Sequence, residues 1–134
     1  MSEENVEVTW RMTRAWDEGG IDAVLDYLDP GVEWHGSAEG MLPRTFYGYD
    51  GVRDYFERVG EVFPERRLEP LEVIDVDDER VICVTRIVGR SEKFETELNA
   101  DYGWLITFGT NRKAVRVEAF TDKAQALEAA GLSE

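Results

Sequence analysis

The sequence is poor in the residues that form metal, redox and disulfide sites. His35 is its only histidine and Cys83 its only cysteine. No disulfide can form within one chain, and a transition-metal site, which needs several such ligands, is not expected. Cys83 lies in the apolar run 81–84, where a small buried hydrophobic residue is more common than a nucleophile. The sequence therefore predicts neither a metal nor another cofactor.

Long apolar runs and basic residues are also scarce. No run approaches the roughly 20 residues that span a bilayer, and residues 1–5 lack the basic-then-apolar pattern of a secretory signal. The 15 Lys and Arg stand against 29 Asp and Glu, a net charge of −14. This charge repels phosphate, so neither a nucleic acid nor a membrane is expected as a partner. The prediction is a soluble, cytoplasmic protein whose acidity serves solubility or adaptation to high salt.

The composition is that of an ordinary globular protein. Hydrophobic residues make up 43% of the 134 residues, which is enough for one domain with its own core. The chain shows no internal repeat, linker or low-complexity segment. We therefore predict a single domain over residues 1–134.

The most informative stretch is Phe94–Thr121. It predicts two antiparallel strands, Phe94–Phe108 and Lys113–Thr121, joined by a polar turn. Successive side chains of a strand point to opposite faces of the sheet. One face would carry Leu98, Ala100, Tyr102, Trp104, Ile106 and Phe108, and the other Glu97, Asn99, Asp101 and Gly103. The apolar face should look towards helices or a cavity and Asp101 outwards, unless a bulge near Gly103 exchanges the two faces.

Helical periodicity and capping signals predict four helices. They run from Ser2 to Gly19-Gly20, from Asp22 to Leu28, from Tyr49 to Phe63 and from Asp122 to Ala130. Ser2, Asp50 and Asp122 are the expected N-terminal caps, since short polar side chains accept bonds from the first free N–H groups of a helix. The glycine pair supplies the backbone freedom with which a helix ends.

Further strands are predicted between these helices. They cover Val32–His35, Arg67–Asp77 and Val81–Val88, and an irregular loop covers Gly36–Tyr49. Met41, Tyr47 and Tyr49 on this loop are candidates for closing a pocket entrance. Helices first and a strand meander later indicate an α+β fold, with helices packed on one face of a curved antiparallel sheet.

Several segments together resemble a known family. They are Asn5-Val6, Ala15–Ala23 (AWDEGGIDA), Leu28–His35 (LDPGVEWH) and Val115–Gly131. In combination they resemble the SnoaL-like branch of the nuclear transport factor two-like superfamily. The resemblance implies a cone, in which a curved sheet wraps around three helices and encloses an apolar pocket. It also implies a homodimer built on the outer face of the sheet.

The resemblance disfavours two activities of the superfamily. Met12, Trp34 and Trp104 occupy the places where ketosteroid isomerases carry a hydrogen-bonding Tyr, a general-base Asp and a protonated Asp. Ala119 and Ile82 occupy the places of the two epoxide hydrolase aspartates. None of these five side chains can exchange a proton as those mechanisms require.

The predicted ligand-binding residues are mostly aromatic. They are Met12, Trp16, Trp34, Phe56, Tyr102, Trp104, Val117 and Ala119. These side chains either fill the core, the commoner role of aromatic residues, or line a cavity for a flat apolar ligand. His35 is the catalytic candidate, because its unperturbed pKa lies near neutrality; alternatively it is a strand-end residue that faces solvent.

Three hypotheses about function follow from the sequence. The first is a protein that binds a small, mostly apolar molecule. The second is a cyclase- or isomerase-type enzyme that uses His35 with Tyr102 or Asp101. The third is a dimerisation module whose cone is filled by its own side chains.

Overall fold

The structure is a computed structural model that describes residues 2–36, 42, 44–91 and 95–132, without the side chains of Ser2 and Thr96. The helices are α1 (Ser2–Val24), α2 (Gly48–Val62) and α3 (Lys123–Ala129), with a 3-10 turn at Leu25–Tyr27. The strands are β1 (Leu28–His35), β2 (Thr45–Tyr47), β3 (Glu65–Asp75), β4 (Arg80–Ser91), β5 (Thr96–Phe108) and β6 (Ala114–Phe120). Together they confirm the predicted α+β fold.

The strands form one sheet in the order β2-β1-β6-β5-β4-β3. The meander β3-β4-β5-β6 is antiparallel, as predicted. The sheet is nevertheless mixed, because β1 pairs parallel to β6. The prediction of a purely antiparallel sheet was therefore wrong at this one pair, which joins strands far apart in the chain and has no local sequence signal.

The first two predicted helices are one kinked element. Gly20 has φ 67° and ψ −154°, a left-handed conformation that breaks the helical path inside α1 and that glycine adopts without steric cost. The predicted helix Asp22–Leu28 is too long, because Leu28 is extended. Leu28 opens β1, where it is fully buried and pairs with Ala114. The predicted capping side chain of Ser2 lies outside the described residues.

Helix α2 covers the predicted region, but its predicted cap was wrong. Tyr47 occupies the capping position and makes no side-chain bond to the helix. Asp50 lies in the first turn and pairs with Arg53 at 3.5 Å, where its charge still favours the positive helix end. Helix α2 ends before Pro64, whose ring cannot continue a helix. No helix of the described residues is long and apolar enough to cross a membrane.

The loop predicted for Gly36–Tyr49 contains the short strand β2. Trp34 pairs with Phe46 across β1 and β2, and three residues are too few to show a period of two. Tyr47 is exposed, while the hydroxyl of Tyr49 donates to the carbonyl of Leu28 at 2.9 Å. Met41 lies outside the described residues, as do residues 37–40 and Pro43.

The β5–β6 hairpin confirms the predicted alternation. Trp104, Ile106 and Phe108 are buried in the core under the helices. Asp101 lies on the outer face, where it pairs with Arg86. The register irregularity of this hairpin falls at Thr107/Phe108, so no bulge near Gly103 exchanges the faces. Phe94, the predicted first residue, lies outside the described residues.

Helix α3 covers part of the outer face and forms a second core there. The members of this second core are Ile82, Val84, Leu105, Ala126, Leu127 and Ala130. Asp122 caps α3 as predicted, since its Oδ1 accepts a bond from the Gln125 N–H at 2.8 Å. A β-carbon at Gly103 would lie 2.7 Å from that of Ala126. Gly103 is therefore required for the close approach of α3 to β5.

Asn5 connects the start of α1 to two hairpin turns and is completely buried. Its Nδ2 donates to the carbonyl of Asp78 at 2.8 Å, in the β3–β4 turn. Its Oδ1 accepts from Arg112 at 3.1 Å, in the β5–β6 turn. A buried amide with both ends paired holds the helix in register with the sheet.

We expect Asn5→Ala to lower the free energy of unfolding by about 1–3 kcal/mol, because it removes both hydrogen bonds of this buried amide, one of them with a charged guanidinium. Urea denaturation at neutral pH measures the loss. Glu7→Gln is the matched control on the same helix. It removes an exposed ion pair with Arg11 and should cost no more than roughly 1 kcal/mol. Equal losses in the two variants would contradict the role assigned to Asn5.

Candidate functional site

A cavity of about 90 Å³ lies between the helices and the inner face of the sheet, and it is partly open to solvent. Helix α1 contributes Thr9, Met12, Thr13, Trp16 and Val24, and α2 contributes Phe56. The strands contribute Trp34, Leu68, Pro70, Cys83, Thr85, Trp104, Ile106 and Val117. Five of the six strands, all but β2, therefore contribute to the wall of this cavity. The wall is almost entirely apolar.

Six of the eight predicted ligand-binding residues line this cavity, namely Met12, Trp16, Trp34, Phe56, Trp104 and Val117. Tyr102 and Ala119 do not line it. Tyr102 stacks on Trp104 with ring centroids 5.8 Å apart, and Ala119 is the cross-strand partner of Trp104. These two residues support the cavity wall from beside Trp104.

Trp34 is the centre of the aromatic cluster that forms the wall. Its ring centroid lies 5.7 Å from that of Tyr55, 5.3 Å from Phe56 and 5.6 Å from Trp104. Phe56 in turn lies 5.0 Å from Trp16. Tilted and edge-to-face arrangements of this kind are the favoured geometries of aromatic pairs. The cluster links β1, α2, β5 and α1 around the cavity.

Polar atoms of this cluster are deeply enclosed. The indole N–H of Trp34 is buried and makes no hydrogen bond with any described residue. Burial, followed by the nearby Tyr102, raises the pKa of Tyr55 to about 12. Burial also raises the pKa of Tyr102. Both phenols are therefore neutral at physiological pH.

Four lining residues with polar side-chain atoms were not predicted from the sequence: Thr9, Thr13, Cys83 and Thr85. The hydroxyls of Thr9 and Thr13 donate to the carbonyls of Asn5 and Trp10, each at 2.7 Å. These threonines lie three residues before Met12 and Trp16, so helical spacing places them on the same face of α1. That spacing was the available signal.

The other two missed residues lie on β4. The thiol of Cys83 and the hydroxyl of Thr85 are 3.5 Å apart. Cys83 is buried, as predicted, and burial raises the pKa of its thiol. A buried thiol of raised pKa is a poor nucleophile, because the thiolate is the reactive form.

His35 does not line the cavity. Its Nε2 lies 3.0 Å from Glu33 Oε1 and its Nδ1 lies 3.0 Å from Thr45 Oγ1. Alternation along β1 places His35 and Glu33 on the face opposite Trp34. The structure therefore does not bring the histidine to the aromatic cavity, and its suggested catalytic role has no geometric support there.

Asp101, a suggested partner of His35, is also remote from the cavity. Two bonds from Arg86, at 2.8 and 3.1 Å, hold it on the outer face. The hydrogen bond from Arg86 is the main cause that lowers the pKa of Asp101. Among the described residues, no three His, Cys, Asp or Glu side chains are grouped so that they could hold a metal ion.

Comparisons with known proteins agree on a family and a fold. The family described as SnoaL-like domain matches residues 10–120, whereas no curated protein sequence matches this chain. TerC co-crystallized with polyporic acid is 23% identical, covers 95% of this chain and 98% of its own, and has a TM-score of 0.74.

Two bacterial structures resemble this chain with TM-scores close to that of TerC. An NTF2-like protein of unknown function from Burkholderia pseudomallei K96243 is 24% identical over 92% of this chain and 95% of its own, with a TM-score of 0.76. A putative SnoaL-like polyketide cyclase from Jannaschia sp. CCS1 is 17% identical over 96% and 91%, with a TM-score of 0.73. At these identities the structural likeness shows the fold alone.

The buried phenol of Tyr55 predicts a pH dependence of stability. An unfolded tyrosine titrates near pH 10, and the folded Tyr55 near pH 12. Between these values the unfolded chain has lost a proton that the folded chain keeps. The contribution of Tyr55 to the free energy of unfolding is therefore fully present below pH 10. It falls by about 2–3 kcal/mol as the pH rises to 12.

Urea denaturation between pH 9 and 12 measures this loss, and Tyr55→Phe is the control that lacks the titrating group. We expect the free energy of unfolding to fall less steeply with pH in the variant than in the wild type. Parallel curves for the two proteins would show that the Tyr55 phenol titrates like an exposed one.

Proposed function

The chain belongs to the SnoaL-like domain family, and on that premise we propose that it binds a small, mostly apolar molecule in its central cavity. The observation that carries the proposal is the cavity wall itself. The described residues that line it include three tryptophans and Phe56 but no charged side chain. A concave apolar space lined by aromatic rings is the usual form of a small-molecule site.

The cavity volume limits the size of the ligand. An apolar cavity of roughly 150 Å³ is large enough to hold benzene, and the space here is about 90 Å³. A single small ring fits if the wall yields slightly. Met12 suits such an adjustment, because its unbranched thioether chain adapts to irregular shapes. A larger ligand would extend through the open side of the cavity.

The alternative of a filled cone is less consistent with this space. An unfilled apolar cavity of 90 Å³ costs on the order of 2 kcal/mol, at roughly 24 cal/mol per Å³. One larger side chain, for example at Val117 or Cys83, would remove that cost. The open space therefore supports binding over a purely structural role.

The enzyme alternative draws on relatives such as the putative cyclase from Jannaschia sp. CCS1. The described lining residues offer little for acid–base chemistry. Cys83 is a buried thiol, and Met12, Trp34 and Trp104 have no side-chain group that exchanges a proton near neutral pH. We therefore favour binding over catalysis.

The cytoplasmic location expected from the sequence stays a prediction.

The proposal predicts that p-xylene, an uncharged single-ring probe, stabilises the protein. A ligand that binds only the folded state at 100 times its Kd adds about 2.7 kcal/mol, which is a rise in Tm of several degrees for a chain of this size. Thermal denaturation with increasing p-xylene measures the rise. Saturation-transfer NMR, which detects magnetisation passed from the protein to a bound probe, is the second measurement. An unchanged Tm up to the solubility limit of p-xylene, together with no saturation-transfer signal, would contradict the proposal.

Two variants of β4 locate the binding. Cys83→Leu adds volume inside the cavity and should weaken p-xylene binding at least several-fold, because it fills the space the ring needs. Val84→Leu is the matched control, since Val84 packs under α3 on the other face. Equal weakening by both variants would place the ring elsewhere.

We further propose a homodimer through the outer sheet face, which the family resemblance implies. The part of that face formed by β3–β5 carries ion pairs of both signs, among them Arg86–Asp101 and Arg67–Glu69. Leu71 of β3 is an exposed apolar side chain. A face with both charge signs can complement a second copy of itself about a two-fold axis.

Sedimentation equilibrium should therefore give twice the 15.3 kDa mass of one chain. Arg86→Glu places like charge beside Asp101 and should raise the dissociation constant at least tenfold. Arg53→Glu on α2, which disturbs only exposed pairs with Asp22 and Asp50, should leave it unchanged. A 15.3 kDa species at all concentrations would refute the dimer.

A further inference from the structure

The hydrogen-bonding character of the cavity follows from two threonines on α1. Thr9 and Thr13 both line the space, and each hydroxyl already donates its hydrogen to a helix carbonyl at 2.7 Å. A hydroxyl has one hydrogen and two acceptor lone pairs. Both hydrogens are used inside the helix, so Thr9 and Thr13 can offer a guest only acceptor capacity. Thr13 is the more accessible of the two, because Thr9 is 1% exposed.

Donors in the same wall come from three tryptophans, Trp16, Trp34 and Trp104, because an indole N–H can only donate. The indole N–H of Trp34 is enclosed, with essentially no accessible surface, so a guest in the cavity does not reach it. Cys83 and Thr85 lie against each other at 3.5 Å, and a thiol is a weak donor in any case. A hydroxyl group suits this wall, because it can donate its hydrogen to a threonine oxygen and still accept from an indole N–H.

The surroundings of the cavity do not favour an anion. Arg66 is the cation near the aromatic wall, with its guanidinium carbon 5.7 Å from the centre of the Trp16 ring. It does not line the cavity, and it bonds the carbonyls of Phe56 and Phe63 at 3.4 Å. The chain as a whole carries a net charge of −14, which repels carboxylates and phosphates.

From this arrangement we infer that the cavity takes a neutral ring compound bearing a hydroxyl group, whose proton is accepted by Thr9 or Thr13. The inference rests on the proposed function and names the class of its ligand. The ring of the guest lies among the tryptophans and Phe56. Its hydroxyl, which is hydrogen-bonded to water in solution, donates instead to a threonine oxygen in the cavity. Ethers, aldehydes and hydrocarbons of the same shape lack that bond.

The test compares p-cresol with p-xylene, two probes of nearly identical shape that differ by a hydroxyl in place of a methyl group. Their Kd values are measured by calorimetry for the wild type, Thr9→Val and Thr13→Val. Valine has the shape of threonine without its oxygen. At least one variant should bind p-cresol about three- to tenfold more weakly, the size of one net hydrogen bond, and bind p-xylene as the wild type does.

Two controls establish the direction of the bond. Thr→Ser at the sensitive position keeps the oxygen and should restore p-cresol binding. 4-Methylbenzaldehyde can only accept, so its Kd should not rise in the valine variants. If it rises as much as that of p-cresol, the threonine donates and the inference is wrong. Retained p-xylene binding also shows that each variant is folded.

The outcomes separate this inference from the function on which it rests. Failure of both p-xylene and p-cresol to bind the wild type would refute the proposed function and the inference with it. Binding of p-xylene with an unchanged ratio of the two Kd values in both valine variants would refute only the inference. A ratio that changes in one variant and returns with serine would support both.

Discussion

The contact of the Trp34 indole with three other rings is the interaction on which the rest of this structure depends. The indole lies on β1, next to the edge strand β2, and its neighbours Tyr55, Phe56 and Trp104 belong to α2 and β5. Aromatic pairs bury more area than any aliphatic pair and restrict the relative angle of their rings. This single side chain therefore sets both the distance and the orientation of α2 relative to the sheet.

The cavity is a consequence of the same packing. Large flat rings meeting at angles of 41° to 70° leave space that aliphatic side chains would have filled. Protein interiors are close-packed, so a space of about 90 Å³ stands out against the usual scarcity of voids. The rings that stabilise the fold thus also form the wall of the cavity.

None of the described residues that line the cavity has a charged side chain. The outer face carries the Arg86–Asp101 pair, and His35 is bonded to Glu33 on the outward side of β1. Keeping ionised groups on the solvated faces avoids the cost of burying them. The described residues of the cavity wall consequently present apolar surface with a few hydroxyl and thiol groups and no charged side chain.

Several elements could be predicted because their signals are local. The alternation around Trp104 identified the inner face of β5, and Asp122 was recognised as the cap of α3. The break of the first helix at Gly20 was placed correctly as well. In each case the signal lies within a few residues and follows from the geometry of one strand, one cap or one backbone conformation.

Other features depend on contacts that no local pattern contains. The parallel pairing of β1 with β6 and the short strand β2 exist because distant segments meet. The same is true of the cavity-lining role of Thr9 and Thr13, whose spacing was visible but whose facing surface was not. The direction of His35 depends on which face of β1 Trp34 occupies, and the packing of Trp34 against α2 and β5 decided that.

The sequence by itself determined the α+β class, the inner face of the long hairpin and the identity of most rings around the centre, because side-chain periodicity and turn chemistry act over short distances. Only the tertiary structure decided that these rings enclose a space, that threonines enter its wall and that the histidine points away. Those outcomes depend on how α1, α2 and five strands pack together, and packing is a property of the whole chain.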